Sequence, residues 1–231
     1  MGVCITCKSI PCSRSDCADA PSSASTNIKN ISAATTTNNN NSSVFNTNQK
    51  QIPLTSNEQI MLSEINLARQ FPQNYSIKLQ TLFPLIKSDT KKHFLIYNDD
   101  IKIELKRGAS AFSQCIDLLN KRTNSLEPVE LVEELAIPFP KDSKLILDKE
   151  YISKCIETIK SSTNNRYDIF DFQYDISPNP VLSTMIQVVD DTNSNFQRRN
   201  NILNENVKYV GISYGEFKKG IFCFYLLFAC W

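Results

Sequence analysis

The chain has 231 residues, with 25 Lys+Arg against 24 Asp+Glu, one His, eight Cys and five Gly, and 41% of it is hydrophobic. That length holds one domain and a tail, and a net charge of +1 creates no field that would collect nucleic acid. One His excludes any site needing two imidazoles from one chain, and neither Gly-x-x-x-x-Gly-Lys nor Gly-x-Gly-x-x-Gly, the common phosphate-binding loops, occurs.

The first residues carry the sharpest chemistry. Met1-Gly2-Val3-Cys4-Ile5-Thr6 fits the N-myristoylation pattern, in which the Gly2 amine becomes the acyl acceptor once Met1 is removed. One myristoyl chain holds a membrane only reversibly, so stable anchoring needs a second signal. Cys4 and Cys7 stand where palmitoyl groups could supply it, with Cys12 and Cys17 close behind and Lys8 and Arg14 adding a small attraction to anionic lipid. Two other readings stay open. The spacing Cys4-x2-Cys7-x4-Cys12-x4-Cys17 could hold a tetrahedral zinc as a small binding module, or the thiols could be free. The first residues lack the continuous apolar stretch of about 7–15 residues that a secretory signal needs, and the apolar run Ile221–Trp231 has about half the ~20 residues a spanning helix needs. The expected location is the cytoplasmic face of a membrane through the lipid anchor, with export by an unconventional route as the alternative.

Residues 1–54 are Asn-, Ser- and Thr-rich with few large apolar groups, which predicts a disordered tether. Residues 55–231 read as the folded domain. Ser56 or Asn57 caps a helix through Arg69, with Met61, Ile65 and Ala68 on one face. Pro72 ends it or starts a short helix through Tyr75, Leu79 and Leu82. Further helices are expected from about Ala109 to Lys121, from about Ser143 to Lys160, and after Pro178 through Val181, Met185 and Val188. The last quarter changes period. Val207–Gly215 and Ile221–Ala229 read as two strands joined by a turn at Lys218-Lys219-Gly220, the second without polar alternation and so covered on both faces. Helices before a terminal hairpin make the class α+β, helices on an antiparallel sheet.

Two segments carry a resemblance. Glu64-Ile65-Asn66-Leu67-Ala68-Arg69-x-x-Pro72 resembles the opening helix of CAP domains (the cysteine-rich secretory, antigen 5, pathogenesis-related superfamily, or SCP-like domains). Asp190-Asp191, Arg199-Asn200-Asn201-Ile202-Leu203-Asn204 and Tyr209-Val210-Gly211-Ile212 resemble its closing segment, so that the likeness spans roughly residues 57–230. The resemblance implies an α-β-α sandwich and a central cleft in which many members hold a divalent cation with two His and two Glu. Here the closing-box His position falls on Arg198, its preceding Gly on Gln197, and a cleft Glu near Tyr174. Arginine has no lone pair for a metal, so the resemblance implies the scaffold without the metal site, with Tyr174, Arg198 and Asn201 as cleft residues and no cofactor.

Other chemical candidates are weaker. His93 could pair with Cys115, Cys155 or Cys223 as a thiol hydrolase, although a surface His and three core thiols are the simpler reading. Glu127, Glu130, Glu133 and Glu134 read as a solvated acidic face. Arg198-Arg199 either grips a phosphate or carboxylate or caps the carboxyl end of the preceding helix. The function expected is that of a non-enzymatic, membrane-anchored CAP-like domain presenting a cleft or surface to a protein, lipid or sterol partner. The alternatives are the thiol hydrolase and an amino-terminal zinc module.

Overall fold

The computed structural model describes residues 4–5, 56–89, 92–98, 101–192 and 194–230. Gly2, Cys7, Cys12 and Cys17 lie outside the described residues, as does nearly all of the expected tether. Residues 1–12 and 54–231 group as one unit and residues 13–53 as another.

The folded unit mixes helices with two four-stranded sheets. Helices α1 (Ser56–Gln70) and α2 (Pro72–Gln80) are adjacent, because Pro72 at the first position of α2 ends one helix and preorganises the next. Met61, Ile65 and Ala68 are buried as their spacing implies. Strands β2 (Ile86–Asp89), β3 (Lys92–Tyr97) and β4 (Ile101–Leu105) form an antiparallel meander, and β1 (Cys4–Ile5) pairs with β4 in parallel. β1 is thus a strand within the stretch read as tail.

Helix α3 spans Ala109–Lys121, the expected range, and buries Ala111, Phe112, Cys115, Ile116 and Leu119. It starts from Gly108 at φ 61, where a Cβ would sit 2.6 Å from the His93 ring, so that both the dihedral and the space require glycine. The helix expected from Ser143 is corrected. A single 3-10 turn occupies Ser143–Leu145, and α4 runs Lys149–Ser162 because Asp148 caps it, accepting the Tyr151 amide at 2.7 Å. Likewise α5 begins at Pro180, not Pro178, because Asn179 is the cap and accepts the Leu182 amide at 2.9 Å. A short helix α6 (Gln197–Ile202) follows.

The second sheet has the order β5-β7-β8-β6, from β5 (Glu130–Leu131), β6 (Asp168–Ser177), β7 (Tyr209–Lys218) and β8 (Ile221–Cys230). The terminal hairpin forms as expected, with Gly220 at φ 72 in its turn. β8 lies between β7 and β6 and is buried on both faces: Phe224, Leu226 and Phe228 join one core with Met61, Ile65, Phe112 and Met185, and Cys223, Tyr225 and Leu227 join another with Ile152, Ile156 and Ile159 of α4. Each fully buried Phe or Leu of this strand contributes about 1.5–3 kcal/mol of apolar burial. Among the described residues, no helix is long and apolar enough to cross a membrane.

Candidate functional site

Strand β6 places polar side chains inside the protein. Phe172, Tyr174 and Ile176 alternate into the core shared with α4, so Asp171, Gln173 and Asp175 point to the opposite face, where they too are buried. Buried polar groups need partners, and α5 and α6 supply them.

Helix α5 ends at Asp190 in the left-handed conformation (φ 48, ψ 57), which Asp adopts more readily than most residues. There its Oδ2 accepts the Arg198 amide at 2.8 Å and the Arg199 amide at 3.4 Å, serving the first turn of α6. In return Arg199 donates from Nε to the Val188 carbonyl at 2.8 Å and from Nη2 to the Val189 carbonyl. Arg199 therefore caps the carboxyl end of α5, the structural alternative named for it above. Its guanidinium also stacks 4.6 Å from the Phe196 ring, with Arg107 at 4.7 Å from the same ring. Asp191 binds the amides of Lys106 and Arg107, tying the end of α5 to the loop before α3.

Arg198 is fully buried. Its Nη1 lies 3.4 Å from Asp175 Oδ1 and 3.5 Å from the Tyr174 carbonyl, and its Nε lies 3.5 Å from Asp190 Oδ1. One guanidinium thus bridges two buried carboxylates. Beside it, Asn201 donates to Asp171 Oδ2 at 2.7 Å and to Gln173 Oε1 at 3.0 Å, and Gln197 reaches the same Asp171 oxygen at 2.5 Å. Gln173 continues the chain to Gln187 at 2.6 Å, and Gln187 to Ser183 at 3.1 Å. The fold brings Arg198 and Asn201 together but separates Tyr174, whose ring packs at 6.4 Å from Phe172 in the core on the other face. All three are buried, not set in an open cleft. Asp171, Gln173 and Gln187 were not anticipated; the alternation Asp171-x-Gln173-x-Asp175 is the signal that could have shown them.

The opening motif is a second anchor. Asn66 exchanges two hydrogen bonds with the Val129 backbone, at 2.8 and 3.1 Å. Arg69, fully buried, donates to the carbonyls of Glu127 (2.8 Å), Ile202 (2.6 Å), Asn204 (2.9 Å) and Val207 (3.0 Å). Burial, and next the nearby charge of Arg122, lowers Arg69 to about 10, which leaves it cationic at neutral pH. Glu64 pairs with Lys78 at 2.5 Å, and burial raises the Tyr75 phenol well above its ordinary value, with the Glu64 carboxylate adding to the shift.

The thiol and imidazole candidates are placed apart in their bonding. His93 Nδ1 lies 2.8 Å from Ser88 Oγ across the β2–β3 pair. Cys115 donates to the Val188 carbonyl at 3.4 Å, and burial raises its thiol to about 11. At pH 7 about one such thiol in 10^4 is ionised. Cys115 should therefore resist maleimide at pH 8 while half-buried Cys155 is labelled, and unfolding in urea should expose both; prompt labelling of native Cys115, read by peptide mass spectrometry, would contradict this. Of the acidic face, Glu127 pairs with Lys208 at 2.7 Å and Glu134 with Arg166 at 2.5 Å, both at the surface. Among the described residues no group of three His, Cys, Asp or Glu could hold a metal ion. Comparison with known proteins gives no match to a family model, a curated protein or a solved structure.

Proposed function

We propose that the chain is a non-enzymatic CAP-like domain anchored at the cytoplasmic face of a membrane, through myristate on Gly2 and acyl groups on Cys4 and Cys7, and that it presents a surface to a protein, lipid or sterol partner. The observation that carries the non-enzymatic reading is the burial of Arg198 between Asp175 and Asp190. A guanidinium held by two carboxylates has neither a lone pair for a metal nor a free proton acceptor for catalysis. The residues at the family's cleft positions thereby serve the scaffold.

The CAP-like reading draws support from the way the two resembling segments meet, since Arg69 of the first donates to the carbonyls of Ile202, Asn204 and Val207 in the second. A sheet with a core on each face agrees with an α-β-α sandwich. The location rests on the sequence motif alone, and two acyl chains release from a bilayer far more slowly than one.

Gly2→Ala removes the acceptor amine for myristate. The substituted protein should move from the membrane pellet to the soluble fraction in its native cells, and the wild-type amino-terminal peptide should carry the mass of a myristoyl group. A Gly2→Ala protein that stays in the pellet rejects acylation as the anchor.

A further inference from the structure

Arg107 is a cation without an anion to answer it. Its guanidinium stacks 4.7 Å from the Phe196 ring, and Nη1 donates to Gln114 Oε1 at 3.0 Å, so both its plane and one of its edges are held. The other edge carries Nε and Nη2. Both are shielded from water, and among the described residues neither has a hydrogen-bond partner. Nor does Arg107 join any of the ion pairs among those residues. Shielded donors without acceptors are costly and rare, and each calls for a reason. The Thr192 hydroxyl is in the same condition, shielded and without a partner. Asp191 joins the two places in the chain, because its carboxylate accepts the amides of Lys106 and Arg107.

The surrounding charge suits an anion. Arg199 stacks on the same Phe196 ring at 4.6 Å, and exposed Lys106 reaches the Thr192 carbonyl at 3.5 Å. Asp191 opposes an anion, but its oxygens are engaged by the two amides, and Asp190 is answered by Arg198. Burial holds Arg199 below its ordinary value, and among the smaller influences the charge of Arg107 lowers it too. Phe196 sits at φ 54, a left-handed backbone that bulky residues rarely adopt, and from there its ring meets both guanidinium groups.

We propose that the Nε–Nη2 edge of Arg107 is a binding site for a phosphoryl group. Two adjacent N–H donors in one plane match two oxygens of an oxyanion. A carboxylate is used up by that fork, whereas a phosphoryl group keeps a further oxygen for the Thr192 hydroxyl. Lys106 gives up only a long bond when it turns to the same group. The carrier of the phosphoryl group has room beyond Gln114, which lines an open cavity of about 590 Å³ along α3 with Asp117, Leu118, Lys121 and Arg122. The site does not rest on the lipid-anchor reading.

Titration of the full, unacylated chain with inorganic phosphate at constant ionic strength tests it by nuclear magnetic resonance. The Arg107 Nε–H signal and the Thr192 amide should shift together and saturate in the millimolar range, and chloride should move neither. Arg107→Gln removes charge and fork and should weaken binding at least about tenfold, Arg107→Lys nearly as much, and Thr192→Val about threefold. Lys144→Gln, exposed and outside this cluster, should change nothing. Sedimentation with phosphatidylcholine vesicles, with and without phosphatidate, identifies the source. Pelleting that needs phosphatidate and is lost in Arg107→Gln assigns the group to a lipid headgroup; saturable phosphate binding without pelleting assigns it to a soluble compound. No saturable shift at tens of millimolar phosphate, or binding of either probe that Arg107→Gln leaves unchanged, overturns the site. Should Arg107→Gln fail to fold, Arg107→Lys and Thr192→Val decide in the same way, since full affinity in both also overturns it. Neither arm uses a fatty acid, so failure here leaves the lipid anchor standing.

Discussion

Arg198→Ala should destabilise the domain by about 3–5 kcal/mol, the cost of stranding buried charges, against a typical domain stability of about 5–15 kcal/mol. The substitution leaves Asp175 and Asp190 facing one another's neighbourhood without the cation that bridges them, both fully buried. Neither carboxylate can reach water without opening the packing of α5 and α6 on β6. Arg198→Lys keeps the charge but replaces a planar fork with a single ammonium, so it should recover only part of the loss. Replacement of a buried ion pair by well-fitted apolar groups is often neutral, which supplies a sharper test. Arg198→Met combined with Asp175→Leu should fare better than Arg198→Met alone, because it removes one of the stranded carboxylates. The urea midpoint of each variant gives the comparison. An Arg198→Ala domain within about 1 kcal/mol of wild type would show that the carboxylates do not depend on the guanidinium, and would return this position to the list of places for a ligand.

The parts of the fold that follow local rules were legible. Helix α3 is read from the spacing of Phe112, Ile116 and Leu119, and the hairpin from the β-branched and aromatic run either side of Gly220. Strand β6 carries the alternation of a strand, but the burial of its polar side was not legible. Asp171, Gln173 and Asp175 alternate with Phe172, Tyr174 and Ile176, and a pattern of that kind ordinarily means one face in water. Here the polar face is covered by helices whose own side chains complete it, a fact held jointly by residues up to 30 positions apart. Helix α6 was missed for a related reason: Gln197-Arg198-Arg199-Asn200-Asn201-Ile202 has no apolar period and is held instead by the carboxylate of Asp190. β1 has only two residues, too few to show any alternation. Of the candidate site, Arg199 was legible as a helix cap because cap and helix are close in sequence. The partners of Arg198 were not, because no local rule joins it to Asp175. The resemblance aligns Tyr174 with a cleft position beside Arg198 and Asn201, but the period of a strand leaves only its carbonyl near Arg198 and sends its ring to the other face.

Arg69→Ala should cost about 4 kcal/mol and loosen one region before the rest. Its guanidinium satisfies four carbonyls, two of which, those of Ile202 and Val207, are bonded in fully buried surroundings. Each buried carbonyl left without a donor costs about 1–3 kcal/mol, and the loss of the stem's packing adds to that. The carbonyls of Glu127 and Asn204 are nearer the surface and can be rehydrated, so they add less. Three of the four bonds run from the end of α1 to the last residue of α6 and the chain between α6 and β7, so amide exchange should accelerate first over residues 202–208, ahead of β8 at the centre of the sheet. Arg69→Lys retains the charge but presents one nitrogen where Arg presents three, and it should recover less than half of the stability. Asn66→Ala, which removes two bonds to the Val129 backbone on the same helix, should cost only about 1–2 kcal/mol. A small loss for Arg69→Ala with no local exchange signature would mean that the opening helix and the closing segment are held together by apolar packing alone. A large loss confined to residues 202–208 would place the clamp between them in this one side chain.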